Sequence, residues 1–600
     1  MNELANEVTG AKLIAQFIAK KCFPKVFLVT GGACAFIVDA LGQNSETDYV
    51  CMQHEQAAAM AADAVWRCSS LVGVTVATSG PGATNLITGI ACSWFDSIPS
   101  LHITGQVNQR ESSAELGVNV RQAGFQETDI VEIVRPITKY AVKVKSTREL
   151  AEALQYSLST ALEGRMGPVL IDVPMDVQQS VCSFEEIEVA LGNIEKAVIN
   201  SEIGQRVKTA NGALEAFIDG STRPLVVLGA GLSFGESMQR AQQWCEESGI
   251  PYCSSWGGFP FIDRAAPLYQ GSIGVYGSRL ANWAIQSADR IVVLGSRLDN
   301  RQRTGNPAAF APFAKFFVVD IDAEELAKYR NQDNYQTHNI DLHLLDNVLP
   351  NVADSLSWKS WTASLHSAAS TIDSGFAGAV GAGELSPYDV VPRVQTSLSK
   401  DAIVVADCGA NLCWVYQSFL PSDQLLFTAG GNSPMAYSVP AAIGAKIAEP
   451  YREVVCFIGD GGFQMNIQEL QTIKNYDLSI KIVILNNYGY GIIKQFQDAY
   501  FDSRYEATGR GYSVPDFGSI VRGYGLEYRK IINLDDLDEA LSVNGACVID
   551  VVLPPNTLIT PKVEMNRFIH DQFPYGTLMN RSAPLNDYPD NPSQLNTSFT

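Results

Sequence analysis

Short apolar runs alternate with amphipathic stretches along most of the chain, and glycine-rich turns join them. In the first block, strands are predicted at residues 26–29, 49–52, 72–77 and 101–104. Apolar positions within residues 13–18 have helical spacing behind Thr9, which predicts a capped first helix. Because strands that alternate with helices form parallel sheets with both faces covered, this block is predicted to be an α/β domain.

The same order of elements returns late in the chain. Strands are predicted there at 403–406, 453–458 and 482–485, and helices at 439–448 and 463–475. A third segment between the two blocks has predicted strands at 224–228, 291–294 and 317–322. We therefore predict an α/β fold with three parallel-sheet domains, at residues 1–185, 195–350 and 375–555. The polar stretches 185–200 and 350–385 are predicted linkers, and 556–600 is a predicted surface tail.

Composition and charge exclude several classes of protein. The chain is 46% hydrophobic and 18% charged, which is typical of globular proteins and excludes disordered, collagen-like and disulfide-scaffold chains. With 43 Lys and Arg against 64 Asp and Glu, the net charge is −21. Such a chain does not hold nucleic acid through general electrostatics, although local backbone donors and metals can still bind a small phosphate ligand.

The expected compartment follows from the cysteines and the N-terminus. None of the twelve cysteines forms a CxxC pair, which favours a reducing environment. Residues 1–21 carry Glu3 and Glu7 and lack an apolar core, unlike a signal peptide. The uncharged stretch 69–95 is interrupted by Gly80-Pro81-Gly82, which predicts strand, loop and helix rather than a membrane span. We expect a soluble cytoplasmic protein with no membrane partner.

The strongest chemical signal is Gly459-Asp460-Gly461 followed by Asn486-Asn487, with Asn487 27 positions after Asp460. Each motif directly follows a predicted strand, so both belong at the carboxyl edge of one sheet, where ligands bind. Backbone N–H groups of a GDG turn can hold a diphosphate, and Asp and Asn oxygens suit Mg²⁺. The alternative is that both motifs are ordinary Gly/Asn turns.

The GDG and NN motifs resemble the fingerprint of thiamine diphosphate (ThDP) enzymes. Further motifs resemble the acetolactate synthase branch of that superfamily: HEQAAAMAADA, TSGPGATNLITGI, DSIPSLHITGQV, FQETDI, RPITKY, GPVLIDVP and VPAAIGAKIA. The resemblance covers about residues 8–560. It implies that the three domains are, in order, pyrimidine-binding, central and Rossmann-like, and diphosphate-binding with Mg²⁺.

The resemblance also assigns roles to individual residues. Glu55 matches the glutamate that hydrogen-bonds the ThDP pyrimidine and assists loss of the C2 proton. The implied ThDP-binding residues are Gly32, Ala33, Cys408, Gly409, Ala410, Asn411, Ser433, Met435, Gly461 and Gly462. The implied metal ligands are Asp460, Asn487 and the carbonyl of Gly489, and the implied substrate-binding residues are Phe125, Gln126 and Arg301.

Other readings of these residues stay open. Glu55 is also explained as a carboxylate at a helix N-terminus, and Met435 as a core residue. His54 is expected to be a packed or N-cap neighbour rather than a base. Gly229, Gly231, Arg297, Asp320 and Asp322 match positions that hold FAD, without net redox, in acetolactate synthases; the alternative is a spacer domain without flavin. The family builds its active site between two chains, which implies a homodimer or homotetramer.

Three positions depart from the acetolactate synthase pattern. The family's GQHQ is Gly409-Ala410-Asn411-Leu412 here, its Lys in VPKD is Met175, and its lid-helix Trp is Phe496. Because donor residues are kept, we expect pyruvate decarboxylation followed by transfer to a ketone or keto-sugar, as in the branched-sugar (yersiniose-type) carboligases. The alternatives are acetolactate synthase with a second pyruvate, a simple 2-keto acid decarboxylase, and a non-catalytic regulatory subunit.

Overall fold

The computed structural model describes residues 7–193, 201–233, 235–351, 356–371, 376–565 and 567–575. Its first domain has a six-stranded parallel sheet in the order β2-β1-β3-β4-β6-β5. The strands are β1 Lys25–Leu28, β2 Asp48–Cys51, β3 Gly73–Ala77, β4 Ser100–Gln106, β5 Tyr140–Lys143 and β6 Val169–Pro174. The helices are α1 Gly10–Lys21, α2 Ala35–Gln43, α3 Glu55–Ser69, α4 Pro81–Asn85, α5 Ile87–Asp96, α6 Ile130–Val134, α7 Thr147–Leu162, α8 Met175–Gln179 and α9 Phe184–Leu191. Thr9 caps α1 as predicted.

The central domain has a second parallel sheet, in the order β12-β11-β10-β7-β8-β9. Its strands are β7 Pro224–Leu228, β8 Tyr252–Ser254, β9 Tyr269–Ser272, β10 Arg290–Leu294, β11 Lys315–Asp320 and β12 Tyr335–Asn339. Its helices are α10 Ser201–Ile218, α11 Ser237–Ser248, α12 Arg279–Ser287, α13 Asn300–Arg303, α14 Ala323–Ala327, α15 Leu345–Val348 and α16 Leu356–Thr371. This strand order is the Rossmann order, in which the direction of winding reverses between β7 and β10.

The third domain repeats the topology of the first, with the order β14-β13-β15-β16-β18-β17. Its strands are β13 Ile403–Ala406, β14 Leu425–Phe427, β15 Val454–Gly459, β16 Ile480–Asn486, β17 Glu527–Ile531 and β18 Cys547–Val552. Its helices are α17 Pro387–Ser397, α18 Gly409–Ser418, α19 Ser438–Ala448, α20 Asp460–Met465, α21 Leu470–Asn475, α22 Gly491–Tyr500, α23 Phe517–Gly523 and α24 Leu537–Leu541. The predicted fold class, three α/β domains with parallel sheets, is confirmed.

The first and third domains pack on each other through α3 and α19. Alanines fill the buried face of α3, and a Cβ added at Gly444 of α19 would lie 2.2 Å from the Ala61 carbonyl oxygen, so the two backbones are close. Polar contacts join the same surfaces, because the Tyr437 hydroxyl donates to Asp63 at 2.5 Å and Arg67 pairs with Asp63 and Asp96. The position of α19 is therefore fixed by the first domain.

Both stretches predicted to be linkers contain a helix, so that prediction is wrong over much of their length. In 185–200, most of α9 is present, and Ser183 and Glu186 form its capping box. In 350–385, α16 packs on the central domain, and the indoles of Trp358 and Trp361 donate to the carbonyls of Ser221 and Pro224. The indole N–H groups find backbone acceptors, which a composition-based reading of a polar stretch does not reveal.

The chain after β18 also differs from the predicted surface tail as far as residue 575. Residues 553–565 and 567–575, here called the C-terminal segment, lie between the central and third domains and contain an antiparallel pair, β19 Lys562–Val563 and β20 Gln572–Phe573. Val563 N donates to Val275 O, and Gln572 donates to Gly277 O, both in the central domain. Residues 576–600 of the predicted tail lie outside the described residues. Among the described helices, none is long and apolar enough to cross a membrane.

Candidate active site

The predicted metal ligands lie together at the carboxyl edge of the third sheet. Asp460 begins α20 directly after β15, and Asn487 follows β16, the neighbouring strand. The backbone N–H of Gly489 donates to the Asp460 carboxylate. Asp460 Oδ2 and Asn487 Nδ2 are buried and have no hydrogen-bond partner in the described parts of the chain. Because buried polar atoms normally find partners, Asp460 Oδ2 fits a bound cation, and the amide donor Asn487 Nδ2 fits an acceptor such as a phosphate oxygen.

Burial also perturbs the ionisation of Asp460. It raises the pKa of this carboxyl to about 6, while hydrogen bonds from Tyr512 and from backbone N–H groups act in the opposite direction. A cation at this position would favour the ionised form, because an adjacent positive charge stabilises a carboxylate.

Gly461 and Gly462 are required by close contacts around α20. A Cβ at Gly461 would lie 2.4 Å from the ring of Tyr490 and 3.1 Å from Met435 Cε. A Cβ at Gly462 would lie 2.2 Å from Asp407 Oδ2. The two glycines therefore bring the start of α20, with its N–H groups, against the segments that carry Met435 and Asp407. This is a suitable cradle for a diphosphate.

The segment 408–411 meets the same cradle from the neighbouring strand β13. Gly409 has φ +74, a left-handed conformation that favours glycine, and it turns the chain into α18 behind Cys408. A Cβ at Gly491 would lie 2.7 Å from Asn487 Nδ2 and 3.2 Å from Ala410 Cβ, so α18 and the metal loop are in contact. The strand order changes direction between β13 and β15, and this is where ligands bind in open α/β sheets.

Asp407 is a site residue that the sequence analysis missed. It is buried, accepts hydrogen bonds from Ala436 N (3.1 Å) and Ser438 N (3.2 Å), and has its pKa raised to about 6 by burial. Its own N–H donates to Asn411 Oδ1 at 3.2 Å. Asp407 thus holds the loop that carries Ser433 and Met435 against segment 408–411. In this loop Ser433 (φ +50) and Ala436 (φ +69) are left-handed.

Glu55 lies in the first domain, at the first position of α3. Its side chain is buried, with 8% of the residue exposed, and Asn85 Nδ2 donates to its Oε2 at 2.9 Å. A Cβ at Gly82 would lie 3.2 Å from Glu55 Oε1, so the SGPG turn borders the carboxylate. His54 is the N-cap residue of α3, as predicted, because its Nδ1 accepts from Gln56 N.

Other predicted residues of the first domain lie around the same turn. Ala33 N donates to Thr78 Oγ1 at 3.3 Å, and a Cβ at Gly80 would lie 2.9 Å from Gln126 Cβ. Gly32, beside Ala33, has no atom within 4 Å of an added Cβ, which leaves open space at this edge. Phe125 is 83% exposed. The pyrimidine-side residues therefore form one cluster at the switch between β1 and β3.

The two clusters are connected through buried polar contacts. Glu469 accepts from Gln53 N at 3.1 Å, just before α3. Asn466 Nδ2 donates to Ala436 O at 2.9 Å and contacts Met60 Sδ of α3 at 4.0 Å. Burial raises the pKa of Glu469 to about 7, and the Thr472 hydrogen bond acts against that rise. No hydrogen bond joins Glu55 itself to Asp460 or Asn487 in the described chain.

The predicted FAD residues lie where winding reverses in the central sheet. A Cβ at Gly229 would lie 2.1 Å from Gly295 O, and Gly231 N donates to that oxygen at 2.9 Å. Both glycines are thus explained by close packing of two strand ends. Asp322 does not fit a flavin ligand, because its Oδ1 caps α14 and its Oδ2 pairs with Arg165 at 2.6 Å.

The side chains of the other two predicted FAD residues make fewer contacts within the protein than that of Asp322. Asp320 is buried and accepts from Asp322 N at 2.9 Å. Arg297 lies at the same edge with a third of its side chain exposed, and its only close carboxylate within the described chain is Asp299 at 3.8 Å. The edge can therefore accept a nucleotide, but Asp322 would not be one of its ligands.

Arg301 lies apart from these residues, at the boundary with the third domain. Its guanidinium donates to the Tyr276 hydroxyl at 3.2 Å and lies over that ring, 5.5 Å from its centre. Phe496 of α22 packs on Tyr500 and Phe501 and is 37% exposed. Arg301 therefore lies at the boundary between the central and third domains, because Gln417 of α18 donates to the carbonyl of the same Tyr276, while Phe496 lies partly exposed on the third domain.

Three family models match the chain. They are the thiamine pyrophosphate enzyme N-terminal TPP binding domain over residues 8–133, the central domain over 212–339, and the C-terminal TPP binding domain over 407–551. Each match falls within one of the three domains described above.

Full-length relatives are similar along nearly the whole chain. The acetolactate synthase large subunit of Lactococcus lactis subsp. lactis (strain IL1403) is 31% identical over 578 residues, which cover 94% of this chain and 95% of the relative. The isozyme 1 large subunit of Escherichia coli (strain K12) is 32% identical, with 92% and 96% covered. The probable acetolactate synthase large subunit of Methanocaldococcus jannaschii is 33% identical, with 91% and 92% covered.

Proposed function

Because the chain belongs to the acetolactate synthase-like thiamine pyrophosphate enzymes, we propose that it is a carboligase that decarboxylates pyruvate and transfers the two-carbon unit to a carbonyl acceptor. The observation that carries this proposal is the pair of buried, unpartnered polar atoms, Asp460 Oδ2 and Asn487 Nδ2, within a glycine cradle. Burying two polar atoms without hydrogen-bond partners destabilises a folded protein, so we expect both atoms to contact a bound cofactor.

Each cluster has a distinct task in this proposal. Asp460, Asn487 and the Gly489 carbonyl hold Mg²⁺, and the N–H groups at the start of α20 hold the diphosphate. Met435, positioned through Asp407, supports the bend of the cofactor. Bound ThDP would supply the carbon that adds to the 2-keto acid and the ring that accepts electrons on loss of CO₂. Glu55, oriented by Asn85, holds the proton exchanged with the pyrimidine.

The same residues support a site shared between two chains. In one chain, Phe125 and three other apolar side chains of its loop are largely exposed: Leu116, Val118 and Val120. A second chain would cover this loop and bring its diphosphate cluster to Glu55, so a homodimer or a homotetramer is proposed.

FAD in the central domain is also proposed, bound by Arg297, Asp320 and the Gly229 turn without taking part in redox. If it is present, the purified protein will be yellow and release flavin on denaturation.

We propose that the acceptor is a ketone or a keto-sugar rather than a second pyruvate. Pyruvate as acceptor needs cations and polar groups close to the reacting carbon. Here Ala410 and Asn411 replace the family's Gln and His at the start of α18, and Met175 replaces a Lys. The loss of contacts worth about 1–3 kcal/mol would weaken the pyruvate reaction roughly tenfold to a hundredfold. The alternatives are acetolactate synthase activity and simple release of an aldehyde.

One competition assay separates these functions. Protein with ThDP and Mg²⁺ is supplied with pyruvate alone, or with pyruvate and a cyclic, open-chain or sugar ketone, and CO₂, acetaldehyde, acetolactate and ketone adducts are measured by mass spectrometry. We expect a ketone adduct formed at least as fast as acetolactate. Efficient acetolactate formation without adduct would identify an ordinary acetolactate synthase. Acetaldehyde alone would identify a decarboxylase, and no CO₂ would contradict catalysis.

A further inference from the structure

The turn between β2 and α3 is held by a carboxylate of the third domain. Glu469 accepts hydrogen bonds from the backbone N–H groups of Gln53, at 3.1 Å, and of His54, the N-cap residue of α3. These are the two residues directly before Glu55, which begins the helix. Because an ionised carboxylate is a strong acceptor for backbone N–H groups, the start of α3 is fixed from outside its own domain.

Neighbouring residues hold Glu469 itself in this position. Glu469 and Thr472 are fully buried, with 0% exposed, and the Thr472 hydroxyl donates to Glu469 Oε2 at 2.7 Å. The Tyr476 hydroxyl, directly after α21, accepts from Cys51 N at 2.7 Å and so ties the end of β2 to the same part of the third domain. Since a buried network of this kind is rigid when its members are hydrogen-bonded, residues 51–54 have a defined position relative to Glu469.

A fixed start of α3 matters for the task proposed for Glu55. A proton-transfer group must lie within hydrogen-bond distance of the atom that it serves, and a misplacement of about 1 Å can reduce turnover roughly a hundredfold. Asn85 holds one oxygen of the Glu55 carboxylate. The backbone from which that side chain extends is held by Glu469 through the two preceding residues.

The ionisation state of Glu469 decides how many of these hydrogen bonds can form. Burial raises the pKa of this carboxyl to about 7, while the hydrogen bonds from Thr472, Gln53 and His54 act against that rise. An ionised carboxylate accepts at both oxygens, whereas the protonated acid has one oxygen that donates. The turn is therefore held more firmly above about pH 7 than below it. The titratable groups next to this contact along the adjoining elements are His54 and Glu55 at the start of α3, Cys51 at the end of β2, and Lys474 and Tyr476 at the end of α21.

We propose that Glu469 is a positioning residue for proton transfer at Glu55. By holding the N–H groups of Gln53 and His54, it sets where the Glu55 carboxylate lies. The inference rests on the proposed carboligase function, to which it adds a residue that acts without touching cofactor or substrate. Its effect is on the chemical step rather than on retention of the cofactor, which the metal cluster of the third domain provides.

Glu469→Gln separates this role from a general loss of stability. The amide keeps the size of the side chain, but it offers one acceptor oxygen and places an NH₂ group against backbone donors. We expect kcat for CO₂ release to fall about 5- to 50-fold, with KM for pyruvate changed less than about threefold and ThDP content unchanged. Glu453→Gln is the matched control, because Glu453 also accepts a backbone N–H, that of Ser399 at 2.6 Å, at an exposed position of the same domain. A loss of bound ThDP with unchanged kcat per bound cofactor would overturn the inference.

Hybrid dimers show through which residue Glu469 acts. In a hybrid of a Glu55→Gln chain and an Asp460→Ala chain, the one intact site takes its Glu55 from the Asp460→Ala chain. Glu469→Gln should lower the activity of the hybrid about 5- to 50-fold when it is placed in that chain, and less than about threefold when it is placed in the Glu55→Gln chain. An equal loss in both arrangements would mean that Glu469 acts through α20 of its own chain, contrary to the inference.

Amide hydrogen exchange tests the contact without cofactor, turnover or hybrids. In the wild type, protection of the Gln53 and His54 amides should fall roughly tenfold from about pH 8 to about pH 6, after correction for intrinsic exchange rates. In Glu469→Gln the protection should be lower and independent of pH, whereas titration of His54 would leave a pH dependence in this variant.

The exchange result also separates this inference from the carboligase proposal. If the wild type released no CO₂, that proposal would fail, while protection would still decide whether Glu469 holds the turn. If Glu469→Gln failed to fold, the wild-type pH dependence would decide. Protection that is independent of pH in the wild type, or equal in the wild type and Glu469→Gln, would overturn the inference.

Discussion

Glu55 is held in one place by its neighbours, which is what a proton-transfer group requires. Asn85 fixes one oxygen and the SGPG turn borders the other. Glu55→Gln keeps the size of the side chain and removes the titrating group, so turnover should fall by about two to four orders of magnitude. Steady-state CO₂ release measures this, and ThDP content should be unchanged. Glu46→Gln, on an exposed loop, is the control; near wild-type turnover in Glu55→Gln would refute the assignment.

Asp460 and Asn487 should control retention of the cofactor rather than the chemical step. In Asp460→Ala or Asn487→Ala, the diphosphate would meet a strongly acidic protein without a cation, and Mg²⁺-dependent ThDP retention should be lost. ThDP is quantified after gel filtration in the presence of Mg²⁺. Asp535→Ala, exposed in the same domain, should retain ThDP as the wild type does. Equal ThDP content in all variants would mean that the metal site lies elsewhere.

Site residues that belong to a recognisable sequence motif could be predicted from the sequence. Site residues whose role is to position another residue could not. Asp460 and Asn487 stand out because each follows an apolar strand at a recognisable spacing. Asp407 and Asn85 act only through contacts with Ala436 and Glu55, which are distant in sequence. The one available signal for Asp407 is a carboxylate at the end of a buried strand, two positions before Gly409. Such a residue is more often a simple cap.

At the scale of elements, the packing of α3 on α19 leaves no room for a side chain at Gly444. An added Cβ meets the Ala61 backbone, so Gly444→Ala should destabilise the protein by about 1–3 kcal/mol. Gly212, in the exposed interior of α10, is the matched control, since nothing lies within 4 Å of its added Cβ. Gly212→Ala should stabilise its helix by about 0.5–1 kcal/mol. Thermal unfolding measures both, and shifts of the same sign would contradict this packing.

Long apolar strands were predictable as elements, while short or polar ones were not. β7 and β13 match their predicted bounds because continuous apolar runs are buried on both faces. β12 has the polar sequence YQTHN and is half exposed, so it lacks the alternation of apolar and polar residues that predicts a strand. β19 and β20 are two residues each and are held largely by contacts with other domains. Only the tertiary structure defines such elements.

At the scale of the whole molecule, a shared active site can be tested by complementation. Glu55→Gln and Asp460→Ala chains, each inactive alone, would form hybrids with one intact site. A hybrid dimer has one intact site of two, so the purified hybrid should have about half of wild-type activity. Co-expression with two tags, followed by CO₂ assay of the doubly purified hybrid, measures this. A pair of Glu55→Gln chains carrying both tags is the control. Hybrids without activity would place both residues of each site in one chain.

The C-terminal segment also has a consequence for the order in which the protein is made. Residues 553–575 leave the ribosome after the two domains that they join, yet they donate hydrogen bonds to the backbone carbonyls of Val275 and Gly277 in the central domain. Domains generally fold as units in the order of their synthesis. The three sheets can therefore form while translation continues, whereas the contacts of this segment with the central domain form only afterwards. A nascent chain that has not yet produced Val563 has its folded domains, but the Val275 carbonyl still lacks the hydrogen bond from the Val563 N–H.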